Sequence, residues 1–128
     1  MGTVAPGLVG RIEWEASARH SAEAWGSGAV PVFATPSLVG LMETAAMEAL
    51  RGCLPEGDAT VGTRIDVEHL AATPLGDTVR AEARLVTVDG RRLVFEIDAH
   101  DSVRLIGRSR HERVIISRDR FLERLARR

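Results

Sequence analysis

The stretch VFATPSLVGLMETAAMEALRG, residues 32–52, decides how this chain folds. Thr35 followed by Pro36 predicts a helix start, with Thr35 as N-cap and Pro36 at the first helical position, where its missing N–H costs nothing. Leu38, Leu41, Met42, Ala45, Ala49 and Leu50 then recur as an apolar stripe, and Gly52 ends the run. The stripe covers a wide arc, which suits a helix of about 16 residues wrapped by a sheet better than one lying on a surface. Two carboxylates within it differ. Glu48 has Arg51 three positions on, a stabilising spacing. Glu43 has Val39, Gly40, Ala46 and Met47 as helical neighbours and no cation within reach.

Working outward, Gly7 to Ser17, with Leu8, Ile12 and Trp14, predicts a first strand, and His20 to Pro31 a short helix or loop. PEGD at 55–58 is a turn, and four runs of period two follow. Thr60 to Leu70 sets Thr63, Ile65, Val67 and His69 against Arg64, Asp66 and Glu68. Thr78 to Val88 sets Val79, Ala81, Ala83 and Leu85 on one face, and the Asp89-Gly90 pair signals a hairpin. Leu93, Phe95, Ile97 and Ala99 form a face of the next strand, and Leu105 to Ser117 is a fourth. Ser117 would cap a short C-terminal helix carrying Phe121, Leu122 and Leu125. The order predicts an α+β layer architecture over residues 1–128 as one domain. Its arrangement is that of a hotdog fold, with one long helix wrapped by a curved antiparallel sheet of about five strands. Such sheets pair edge to edge or back to back, so a homodimer or larger assembly is expected.

Composition narrows the partners. The formal net charge of −1 gives no general signal for nucleic acid or a membrane surface. All 17 basic residues are arginine, and Lys, Asn, Gln and Tyr are absent, a bias that a GC-rich genome or selection against thermolabile amides would each produce. The single cysteine, Cys53, suits a reducing interior. MGTVAPGLVG has neither the basic start nor the long apolar run of a signal peptide, and no segment approaches the length of a membrane span. A cytoplasmic protein is expected.

Three residues stand out chemically. A carboxylate among apolar groups is suited to acid–base work, and Glu43 is the candidate. The alternative is a boundary glutamate that reaches solvent or pairs with an arginine elsewhere in the fold. His69 continues the inward face of its strand, where an imidazole can serve as acid, base or electrophile, or simply as a hydrogen-bonded core residue. Thr35 is a hydroxyl beside them or only a cap. Thr35 and Glu43 are eight positions apart, about 12 Å along a helix. They cannot share a hydrogen bond within one straight helix. Both could serve one substrate only if Thr35 lies off the helix axis or acts across a dimer interface, and a composite dimer site is the simpler arrangement. His20 and His100 are set aside, the first in a flexible segment and the second on a polar face; the small, polar face of His111 leaves it undecided. No metal is expected, because the four histidines and one cysteine show no ligand spacing. Arg91 and Arg92 read as solvated charges that a coenzyme A phosphate could use.

VFATPSLVGLMETA, VGTRIDVEHLAATPLGD and VDGRRLVFEIDAHDSVRLIGRSRHERVII together resemble the fluoroacetyl-CoA thioesterase-like family of hotdog proteins, from about Val32 to Ile116. The resemblance implies a thioester hydrolase with a threonine, glutamate and histidine set, which falls by motif on Thr35, Glu43 and His69. It implies acyl-CoA contacts at Gly62 and Arg113, and coenzyme A as part of the substrate rather than a bound cofactor. The chain departs from the family at Pro36, where the motif has glycine, and in GSGAVPVF, which lacks the aromatic lid of the fluoroacetate-specific members. A short or medium acyl-CoA is therefore the expected substrate. A non-catalytic acyl-CoA binding module and a hotdog hydratase or dehydratase are the alternatives.

Overall fold

A computed structural model describes residues 2–128, with Met1 outside the described part. The elements run β1 (Val9–Glu15), a 3-10 turn (Ala18–His20), α1 (Ala22–Trp25), α2 (Thr35–Ala49), β2 (Asp58–His69), β3 (Thr78–Asp89), β4 (Arg92–His100), β5 (Leu105–Ser117) and α3 (Arg118–Ala126). The five strands make one antiparallel sheet in the order β1-β3-β4-β5-β2. β1 and β2 are its free edges.

The sheet curves around α2 because its inward residues alternate as the sequence requires. Val79, Ala81, Ala83 and Leu85 of β3 and Leu93, Phe95, Ile97 and Ala99 of β4 are at most 2% exposed. They meet Leu38, Leu41, Met42, Ala45 and Ala46 of α2, all fully buried. Each large apolar side chain buried this way contributes about 1.5–3 kcal/mol, and this burial is what seats the helix. The fit is tightest at β1, where a Cβ on Gly10 would lie 2.2 Å from the Ala49 backbone nitrogen. Only glycine lets the strand pass that close to the end of α2.

Three local expectations are corrected. The N-cap of α2 is Ala34, not Thr35, and it makes no side-chain capping bond. Thr35 and Pro36 are the first two helical residues. Strand β2 has a register shift between Gly62 and Arg64. A bulge inserts an extra residue and reverses the side-chain alternation, so Thr63 is exposed while Ile65, Val67 and His69 stay half-buried. Gly62 thereby joins the inner face in place of Thr63. His20, set aside in the sequence, is packed in the fold: its ring stacks on Trp14 with centroids 5.2 Å apart and meets Phe33 edge-on at 5.8 Å. No described helix is long and apolar enough to cross a membrane.

Candidate active site

Thr35, Val39, Glu43 and Met47 follow one another at four-residue spacing, and they form the side of α2 that the sheet leaves open. Thr35 is exposed, Val39 and Glu43 are half-buried, and Met47 is exposed. β2 runs beside this stripe. Its His69 end meets Thr35 and its Gly62 end meets Glu43.

At the first end, Thr35 Oγ1 and His69 Nδ1 lie 2.7 Å apart. Freed from capping, the hydroxyl is available to the imidazole. Burial holds the His69 pKa below the ordinary histidine value, and the nearby Ala71 backbone offsets part of that. The ring is therefore neutral near pH 7 and able to accept a proton. Its Nε2 is shut off from solvent without a hydrogen-bond partner.

At the second end, Glu43 is not isolated. Arg113 Nη1 donates to Glu43 Oε2 at 3.5 Å. The guanidinium side chain is 5% exposed and the carboxylate side chain 41%. Arg113 is pinned further by Nε to Thr60 Oγ1 at 2.9 Å and Nη2 to the Thr60 carbonyl at 3.1 Å. Desolvation lowers its pKa and Glu43 partly restores it, but a guanidinium remains a cation throughout. The pairing with an arginine distant in sequence was one of the two readings that the helix alone left open. Gly62 forms the outer wall here. A Cβ on it would stand 3.1 Å from Glu43 Oε2 and 3.3 Å from Arg113 Nη1, so its missing side chain leaves both groups approachable.

Within one chain Thr35 and His69 are brought together, and Glu43, Gly62 and Arg113 are brought together. No hydrogen bond joins the two groups among the described residues. His111 belongs to the second group and was the residue that sequence reasoning left undecided. Its signal is the shared strand parity of His111 and Arg113, which puts both on the inner face. The outer face of the sheet carries a cleft of about 390 Å³ lined by charged residues. There Arg11 and Arg84 both pair with Glu82, at 2.8 and 3.8 Å. Arg92, expected to be a solvated charge, is exposed and pairs with Glu112 at 2.9 Å.

An antiparallel five-stranded sheet curled around one long helix is the architecture of the hotdog thioesterases. A hypothetical protein of Thermus thermophilus described as a thioesterase superfamily member superposes with a TM-score of 0.89 at 27% identity, covering 99% of this chain and 94% of that one. The chain belongs to the fluoroacetyl-CoA-specific thioesterase family, FlK, whose model matches residues 16–119. A solved structure of the fluoroacetyl-CoA thioesterase FlK superposes with a TM-score of 0.90 at 34% identity, covering 98% of this chain and 97% of that one. The fluoroacetyl-CoA thioesterase of Streptantibioticus cattleyicolor is 48% identical over 90 residues, which span 70% of this chain and 65% of that protein.

Proposed function

We propose that this protein hydrolyses a short or medium acyl-CoA thioester to the free acid and coenzyme A, and that it does so as a cytoplasmic homodimer. The observation that carries the reading is the 2.7 Å contact between the Thr35 hydroxyl and the His69 imidazole. Thioester cleavage needs a nucleophile, a proton carrier and donors for the oxyanion. Thr35 Oγ1 attacks the thioester carbonyl while His69 takes its proton. The C–S bond then breaks, the departing thiolate takes the proton from the imidazolium, and water releases the acid from the threonine ester. Mass spectrometry of a rapidly quenched reaction should find the acyl group on Thr35. If it never appears, water attacks directly and Thr35 only orients the thioester.

Glu43 enters from the other subunit. β2 is a free edge of 12 residues, a surface that soluble proteins seldom leave uncovered. Antiparallel pairing of two β2 edges about a two-fold axis sets the Gly62 end of one strand near the His69 end of the other. Glu43 of the partner subunit then faces Thr35 and His69 and activates the water, while Gly62 admits the thioester and Arg113 steadies the carboxylate. Half-buried Val39, Ile65 and Val67 supply an apolar wall for the acyl chain.

A thiol-release screen over acyl-CoAs from acetyl to palmitoyl, with fluoroacetyl included, tests the activity. Tight binding without thiol release would instead support a carrier or sensor, and product without free thiol a hydratase. Mixing inactive Thr35→Ala and Glu43→Gln subunits tests the shared site, because a hybrid dimer retains one intact centre. No recovery on mixing would sink the composite arrangement.

A further inference from the structure

His111 is 1% exposed on β5, with its ring against Phe95 at a centroid distance of 6.3 Å. Both of its nitrogens are committed. Nδ1 lies 2.8 Å from the Arg64 carbonyl at the β2 bulge, and a carbonyl only accepts, so Nδ1 carries the hydrogen. Nε2 lies 3.1 Å from Arg113 Nη1, and a guanidinium only donates, so Nε2 presents its lone pair. The surroundings therefore select one neutral tautomer. Burial also holds the His111 pKa below its ordinary value, and the Arg113 charge adds to this, against the opposing Arg64 carbonyl, Glu43 and Glu112.

Arg113 Nη1 consequently serves two acceptors, His111 at 3.1 Å and Glu43 at the longer 3.5 Å. We infer that His111 is a positioning residue: by taking the closer bond from Arg113 it keeps the guanidinium from closing onto Glu43, so the carboxylate is oriented yet stays free to act as a base. Without Nε2, Glu43 is the acceptor left for Nη1. A carboxylate gripped in a short guanidinium bond is a weaker base. The inference rests on the proposed role of Glu43 in thioester cleavage.

His111→Asn keeps a donor towards the Arg64 carbonyl but is too short to reach Arg113. It should lower kcat about tenfold with KM changed by less than about twofold. His111→Gln restores an acceptor at the guanidinium and should bring kcat back to within about threefold. In a Glu43→Gln background, His111→Asn should cost nothing further, because its effect runs through Glu43. An equal tenfold loss in that background, or an unchanged kcat in a folded Asn variant, would overturn the inference and leave the thioesterase reading standing. An unchanged rate in Glu43→Gln alone would remove the catalytic role of Glu43 and this inference with it. Imidazole nitrogen NMR on the unmodified protein provides a check that needs no variant. His111 should show a hydrogen on Nδ1 and none on Nε2 near pH 7; a hydrogen on Nε2 would refute the arrangement.

Discussion

At its N-terminal end α2 presents Thr35, exposed and bonded to an imidazole at 2.7 Å. About two turns further on, it presents Glu43, leaning on a guanidinium that is itself 5% exposed and pinned by Thr60 and His111. The first end is a hydroxyl and a neutral imidazole in hydrogen-bond contact. The second is a charged clamp whose supports are buried. The contrast follows from solvation: the hydroxyl and the neutral imidazole carry no charge to desolvate, whereas a guanidinium only 5% exposed needs a carboxylate and further hydrogen bonds to hold its charge. One edge strand, β2, reaches both ends, and its bulge is what turns Gly62 and His69 to the same face.

The contrast should break most severely when either end loses the side chain proposed to react. His69→Ala, Thr35→Ala and Glu43→Gln should each reduce kcat by about 100-fold or more in a thiol-release assay. Equal and full activity in all three would leave both ends without a chemical role. Closing the window between substrate and clamp should have a smaller effect. Gly62→Val places a side chain against Glu43 and Arg113, and we expect kcat/KM to fall about tenfold, mainly through KM, while thermal unfolding stays close to wild type. Thr35→Ser, which keeps the hydroxyl, should remain within about tenfold of wild type. A serine variant as inactive as the alanine would show that the threonine methyl group matters.

The smallest effect compares the histidines at the two ends. Both have pKa values lowered on folding. The unfolded chain therefore binds protons first, below its value of about 6.5, and stability present above that pH is lost as pH falls through it. Urea midpoints should decline between about pH 7 and 5, and His111→Gln should flatten the decline. Asp101, whose pKa is lowered by the Val103 and Arg104 backbone N–H groups and Thr73 against the cost of burial, loses its contribution only below about pH 4. The two windows are therefore separable by titration.

Strand β5, Leu105 to Ser117, matches its expected bounds to the residue, and the β3 and β4 faces are buried as their alternation requires. Period-two patterning is a local property, and it holds wherever the ladder is regular. It failed at Thr63, where a bulge, invisible in the apolar pattern, shifts the count by one. The capping expectation at Thr35 failed for a related reason. A threonine before proline satisfies the local rule, but the helix begins at Thr35 itself with Ala34 as N-cap, and the hydroxyl meets His69, 34 residues away. Glu43 lacked a cation only along its own helix; Arg113 lies 70 residues away in sequence.

Residue order alone determined the helix, the strands and the inward faces wherever the ladder is regular, since these follow from spacing and from the burial of apolar groups. Which hydroxyl meets which ring, and which guanidinium supports which carboxylate, was decided only when the sheet curled around α2. Those contacts are a few ångströms long and join residues far apart in the chain, so their strength depends on distances that spacing does not encode.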